Sequence, residues 1–130
     1  MHPAAAVRIP VSYDGPDLGE TAQLLGLSIA ELIRRHTAAE WECAFVGFAP
    51  GFAYLVSDDL DLAVPRLATS RERVPAGSVG LAGAFSGVYP RESPGGWRIV
   101  GSTAVPLWDE TRSPPALLPP GTRVRFEEAR

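Results

Sequence analysis

The chain contains no lysine: all 12 of its basic residues are arginine. That excludes a P-loop lysine, a Schiff-base lysine and a lysine that could carry biotin. A nucleotide or tethered cofactor must then be held by another chain, or by arginines and backbone amides. Cysteine is nearly absent. Cys43 stands alone, so there is no internal disulfide and no cysteine metal cluster. The two histidines, His2 and His36, are not at metal-ligand spacing. No apolar run reaches bilayer length. The opening MHPAAAVRIPVSYDG lacks the basic and apolar regions of a signal peptide. The expectation is a cytoplasmic protein without membrane contact. The formal charge of -3 lacks the basic excess of a nucleic-acid binder.

What is present points to a β-rich domain. The 130 residues suffice for one core, and 45% of them are apolar. Gly 13 and Pro 13 imply many turns, hence many short strands. AAVRIPVSY (5–13) reads as an edge strand because of its proline. Asp14 or Asp17 is placed to cap a short helix with Leu18, Ala22 and Leu25 on one face, ending at Gly26. SIAELIRRHT reads as a second helix. Ser28 and Glu31 have capping-box spacing, and Ile29, Leu32, Ile33 and His36 form the apolar stripe. From Trp41 onward the pattern is strand and turn. WECAFVGF alternates, with Trp41, Cys43 and Phe45 on one side. DLDLAVPR reads as a weak strand. RVPAGSVGLAGAFSGVYP reads as a turn followed by one long or two short glycine-bent strands. GWRIVGST and TRVRFEE complete the set, the latter after a Pro120-Gly121 turn. The expected architecture is a closed or nearly closed β-barrel with a helical pair near the N-terminus, one domain over 1–130.

Three Pro-Gly bends are the candidate site features. Ala49-Pro50-Gly51-Phe52 and Ser93-Pro94-Gly95-Gly96 have type II turn chemistry, and Val74-Pro75-Ala76-Gly77 has it in a looser form, with Ser78 following. Gly96 exceeds what a turn needs, which signals a close approach to the backbone or a sharp bend. Phe48, Phe52, Tyr54, Tyr89 and Trp97 flank these bends. The same residues suit barrel corners or a groove rim of exposed amides and aromatics. His36 is the candidate for titration near neutral pH; it suits either a core histidine or a catalyst. His2 belongs to the terminus. Arg66, Arg71, Arg73, Arg91 and Arg98 would make an anion site if the fold gathers them, although Arg71 beside Glu72 suits a solvated charged face. GSVGLAG has no helix after it, so it is no nucleotide loop. Ser78 lacks nucleophile-elbow spacing. Asp58, Asp59 and Asp61 lack the rest of a calcium loop.

Taken in order, IPVSYDGPDL, RRHT, GFAPGFAYL, VPRLATSRERVPAGSVGLAG, GVYP, SPGGWRIVGST and PPGTRVRF resemble the KipI family, which includes allophanate hydrolase subunit 1 and the B subunit of 5-oxoprolinase. The resemblance covers nearly the whole chain. It implies a cyclophilin-like β-barrel that acts with a homologous second subunit of the KipA or allophanate hydrolase subunit 2 type. The pair would be an ATP-dependent amidohydrolase acting on 5-oxoproline or allophanate, or the carboxyltransferase part of a urea carboxylase-like enzyme. One branch of the family inhibits a sensor histidine kinase. ATP or biotin would come through partner subunits, with no cofactor or metal held by this chain. His36, the Pro50-Gly51 and Pro75-to-Ser78 turns and Gly95-Gly96-Trp97 would line a composite site. Turn amides would steady an oxyanion, and Arg66 or Arg73 would hold a substrate carboxylate. Family members carry a further lobe before the IPV strand, which the resemblance implies is absent from this chain. Phe85, Leu67 and Ser102 stand where the family usually has glutamine or arginine, removing donors for an anion, and Ser70 stands where it usually has proline.

Overall fold

A computed structural model of the chain describes residues 5–60 and 62–129. The readings of His2 and Asp61 fall outside the described residues. The chain runs β1 (Val7–Val11), α1 (Leu18–Leu24), α2 (Ile29–Ala38), β2 (Trp41–Val46), β3 (Ala53–Val56), β4 (Arg71–Val74), β5 (Ser78–Ala82), β6 (Phe85–Val88), β7 (Ser93–Gly95), β8 (Arg98–Ser102) and β9 (Arg123–Glu128). Seven strands form one sheet in the order β1-β9-β2-β3-β6-β5-β8, and β4 pairs with β7 in a separate ribbon. The two ends of the large sheet meet. Ser12 and Ser102 exchange backbone hydrogen bonds of 2.9 Å in both directions. Gly15 and Asp17 then donate to the carbonyls of Val100 and Ile99. The segment after β1 thereby closes the seam along β8, and the sheet becomes a nearly closed barrel.

The helices form as their sequences dictate. Gly26, at φ 70, turns the chain out of α1. Leu18 and Ala22 are buried and Leu25 packs against the core. Ser28 caps α2 by accepting from the Glu31 amide at 3.0 Å. The Glu31 carboxylate turns outward to Arg34 and Arg35, so only half of the expected capping box is made. The apolar stripe holds at Leu32, Ile33 and His36 but not at Ile29, which lies exposed. Asp17 occupies the N-cap position of α1 without capping it, because its carboxylate is committed elsewhere.

The strands depart from simple alternation where tertiary contacts intervene. In β2, Trp41 and Cys43 are buried, but a register shift between Cys43 and Phe45 turns Phe45 outward. Residues 62–66 form no strand; Val64 makes only a bridge to Gly83. Ser93-Pro94-Gly95 is strand β7, not a type II turn, and Gly95 does not adopt a positive φ. The other two bends are turns. Phe52 donates to the Ala49 carbonyl around Gly51 (φ 88). Ser78 donates to the Pro75 carbonyl around Gly77 (φ 85), one residue later than the sequence spacing suggests.

Two apolar clusters sit on opposite faces of β3, β6, β5 and β8. The barrel interior gathers Ile9, Val11, Trp41, Leu55, Val79, Leu81, Val88, Val124 and Phe126 with α1 and α2. The outer face gathers Phe52, Val74, Ala82, Tyr89, Trp97 and Ile99. All of β5 is therefore buried. On the outer face Gly80 and Gly87 replace side chains with space. A Cβ on Gly80 would lie 3.2 Å from Trp97, and one on Gly87 3.1 Å from Phe52. The missing Cβ atoms leave room for both side chains against the sheet. Each large side chain so buried stabilises the fold by about 1.5–3 kcal/mol.

Candidate functional site

The outer-face cluster is incompletely filled. It surrounds a cavity of about 470 Å³ lined by Phe48, Phe52, Tyr54, Val64, Arg66, Ala82, Gly83, Phe85, Tyr89, Gly95 and Trp97. β3 presents Tyr54, β5 Ala82, β6 Phe85, and the β4–β7 ribbon brings Gly95 and the following Trp97 over the sheet. The rings meet edge to face. Phe52 stands 5.3 Å from Trp97 and 5.4 Å from Tyr89, and Tyr54 stands 5.6 Å from Trp97, all steeply inclined to one another. Such pairing holds each ring beyond what area burial alone provides. Gly95 has no room for a side chain: a Cβ there would overlap the Tyr89 hydroxyl. Close approach is thus the reason for glycine at this point, and the approaching group is a tyrosine from the same site. Burial pushes the Tyr89 hydroxyl up, against the opposing pull of the Trp97 amide and of Arg66.

The remaining expected site residues lie elsewhere. Gly96 is buried against Ser70 and Arg66, beside the cavity but not among the residues that line it. Pro50 is exposed on its turn, and Gly51 packs against Trp108 and Pro90. Pro94 faces outward on β7, and Arg73 is exposed on β4. Pro75, Gly77 and Ser78 form the turn into β5, away from the cavity lining. The Gly77 amide donates to the Tyr89 carbonyl at 2.8 Å and the Ser78 amide to Pro75, so neither is open to an oxyanion. The expected rim of free turn amides does not form there.

His36 lies in the barrel interior. Ser86 Oγ donates to the Gly80 carbonyl at 3.2 Å and therefore accepts from His36 Nε2–H at 2.9 Å. Nδ1 is then the acceptor for the Tyr13 hydroxyl at 2.6 Å. The ring stacks on Phe126 at 4.3 Å. Burial pushes the His36 pKa down to about 3, so the imidazole is neutral. Both nitrogens are committed, and the ring is 1% exposed, which leaves no approach for a substrate.

The arginines do not converge into one anion site. Arg71 is not on a solvated face. Its guanidinium grips Asp17 with two bonds of 2.6 and 2.7 Å, tying the ribbon to the start of α1. Asp17 also accepts from the Ile99 amide at 2.7 Å. Burial opposes its charge, but the Arg71 and Ile99 donors outweigh this and hold the carboxyl below its usual range. Arg98 is buried, donates to the Pro65 carbonyl at 2.6 Å and lies 3.1 Å from Glu20. Arg91 is exposed. Arg66 is different: it lines the cavity, and among the described residues no carboxylate pairs with it.

Sequence reasoning missed Val64, Ala82, Gly83 and Phe85. Val64 and Ala82 are ordinary apolar residues that carry no local signal. Phe85 carries one, because it is an aromatic in a glycine-rich strand pair. By its place in the motif it registers only as a lost glutamine, whereas in the fold it forms a wall.

Similarity to known proteins agrees with this geometry. The family model of the carboxyltransferase domain, subdomain C and D, matches residues 1–118. The chain belongs to this family. The B subunit of the Escherichia coli O157:H7 5-oxoprolinase is 46% identical over 123 residues, covering 92% of this chain and 56% of that protein. A conserved uncharacterized protein of Pyrococcus horikoshii, PH0987, superposes with a TM-score of 0.88 at 43% identity, over 95% of this chain and 59% of that one. The Kluyveromyces lactis urea carboxylase shares the fold, with a TM-score of 0.82 at 21% identity over 95% of this chain and 14% of that one. The chain thus spans about half the length of the curated relatives it matches. The resemblance read from the motifs and the mainly β barrel expected from them are both borne out.

Proposed function

We propose that this carboxyltransferase-family barrel forms one wall of a composite site in a two-component, ATP-dependent amidohydrolase of the 5-oxoprolinase type. The other wall comes from a homologous second subunit. The observation that carries this reading is the convergence of separate motifs on one cavity. GFAPGFAYL supplies Phe48, Phe52 and Tyr54, VPR supplies Arg66, GVYP supplies Tyr89, and SPGGW supplies Gly95 and Trp97. Three relatives named as B subunits of 5-oxoprolinase support the choice of reaction.

The described lining holds no serine, cysteine, histidine or carboxylate. This wall therefore binds, orients and excludes water, and activation of the nucleophile falls to the partner. A triphosphate does not fit the residues present. The cavity offers one guanidinium and aromatic walls, and GSVGLAG is strand β5 with its turn, with no helix N-terminus behind it. The chain has no lysine to carry biotin. In this proposal ATP chemistry resides in the second subunit. No described helix is long and apolar enough to cross a membrane, and we assign the complex to the cytoplasm. The histidine-kinase reading draws no support from the names of these relatives.

The test is co-expression with the homologous second subunit and measurement of ATP hydrolysis with and without 5-oxoproline. The proposal expects a stable complex and 5-oxoproline-dependent turnover. A complex that hydrolyses neither compound would overturn it.

A further inference from the structure

The turn that carries Phe48 has a conformation its residue type disfavours. Phe48 has φ 68, the sole non-glycine residue at positive φ among those described. The Ala49 amide donates to the Gly47 carbonyl at 2.7 Å, a three-residue turn centred on Phe48. A γ-turn with positive φ at its centre is rare and strained, and more so for a bulky side chain. Strain of this kind points to function when the surrounding structure maintains it at a site. Here it does. The turn holds the Phe48 ring at the cavity, 5.3 Å from Phe52 and 6.0 Å from Tyr89, edge-on to both, while leaving 60% of the residue exposed.

Arg66, exposed to solvent, is the second distinctive feature of the same cavity. It is the one charged residue of an otherwise aromatic and aliphatic lining, and it has no described acidic partner. Tyr89 touches both features: its ring meets Phe48, and its hydroxyl lies within the electrostatic reach of Arg66. A solvent-exposed guanidinium beside aromatic faces suits, among anions, a small cyclic molecule with a single carboxylate. The carboxylate takes the guanidinium fork, and the ring lies among the aromatic faces.

We infer that Arg66 and the strained Phe48 turn form a two-point subsite for a small cyclic monocarboxylate, Arg66 anchoring the carboxylate and the Phe48 ring closing over the ligand ring. This rests on the proposed 5-oxoprolinase-type reading for its choice of ligand. It selects Arg66, which lines the cavity, over Arg73, which does not, and it makes Phe48 the determinant of ring size. It also explains why glycine, which the backbone would prefer, does not occupy position 48.

The test titrates the full chain by calorimetry with 5-oxoproline and, separately, with 2-pyrrolidinone, which keeps the lactam ring but lacks the carboxylate. Each variant is also followed by thermal unfolding. The wild type is expected to prefer 5-oxoproline by about tenfold or more, the scale of a charge-assisted contact. Arg66→Gln should abolish that preference without changing the unfolding temperature. Phe48→Gly should unfold at the same or a higher temperature, because the strain is relieved, yet bind 5-oxoproline several-fold more weakly. Equal binding of the two probes by the wild type, no binding of either, or unchanged affinity in either variant would each overturn the subsite. Loss of stability in Phe48→Gly with affinity retained would make Phe48 a packing residue and also overturn it. Turnover by the assembled enzyme that is indifferent to Arg66→Gln sinks the subsite while leaving the reaction intact. Binding without turnover does the reverse.

Discussion

The two faces of the central strands bury similar kinds of residue to opposite ends. Inside the barrel, the buried histidine is fully partnered. His36 gives one nitrogen to Ser86 and the other to Tyr13, and Phe126 covers the ring. On the outer face, Phe52, Tyr89 and Trp97 are also buried, but they border open volume. Their neighbours are an unpaired arginine and a phenylalanine kept in a conformation it disfavours. A satisfied buried histidine is a structural device, whereas an exposed cation without an ion-pair partner beside shaped apolar space is suited to recognition. The residue type that looks most chemical in the sequence, the lone described histidine, is therefore the less functional of the two.

Substitutions on either face can upset that contrast. The largest effect is expected inside. Phe126→Ala removes the ring stacked on His36 and should cost about 3–5 kcal/mol in denaturant unfolding, or prevent folding. Next comes the tie between the two regions. Asp17→Ala leaves Arg71 without its carboxylate and the Ile99 amide without an acceptor. Allowing for the partial exposure of Arg71, the loss should be about 2–3 kcal/mol. Because the folded Asp17 pKa lies below its usual value, the wild type holds this contribution above about pH 4 and loses it as acid protonates the folded carboxyl. Asp17→Ala should flatten the stability profile in that acid range.

His36 refines the contrast through pH. Its folded pKa, at about 3, lies below that of an unfolded histidine. Between those two values the unfolded chain binds the extra proton, so stability falls as pH drops from about 6.5 toward 3, by at most about 1.4 kcal/mol per pH unit. His36→Gln should remove that slope, whatever it does to absolute stability, when the two proteins are compared by urea unfolding from about pH 7 to about pH 4. A catalytic, solvent-reachable histidine would show no such slope. The smallest effect belongs outside. Phe85→Ala should cost only about 1–2 kcal/mol, because that ring borders a cavity already open. A loss equal to that of Phe126→Ala would make the outer cluster a second core.

What could be seen in the sequence was local, and what could not was long-range. The capped helix at Ser28, the glycine turn at Gly51 and the β5–β6 strand pair all follow from residues within a few positions of each other. Ser93-Pro94-Gly95 reads as a turn by the same local rules. Its strand character arises from pairing with Arg71–Val74, and its glycine is required by Tyr89. Arg71 looks solvated beside Glu72, yet its partner Asp17 stands 54 positions earlier. The aromatics and Arg66 were identifiable as candidates. That they enclose one cavity while His36, Ser78 and Arg73 do not depends on which face of a strand each residue takes. In β6 that alternation sends Phe85 and Gly87 outward and Ser86 to His36.

The decisive measurement is a titration of isotope-labelled chain with 5-oxoproline, followed by NMR. Shifts are predicted at the backbone amides of Tyr54, Phe85, Gly95 and Trp97 and at the Trp97 indole, with the His36 ring and Phe126 unmoved. Shifts centred on His36 and Phe126, with the outer-face signals still, would contradict the account.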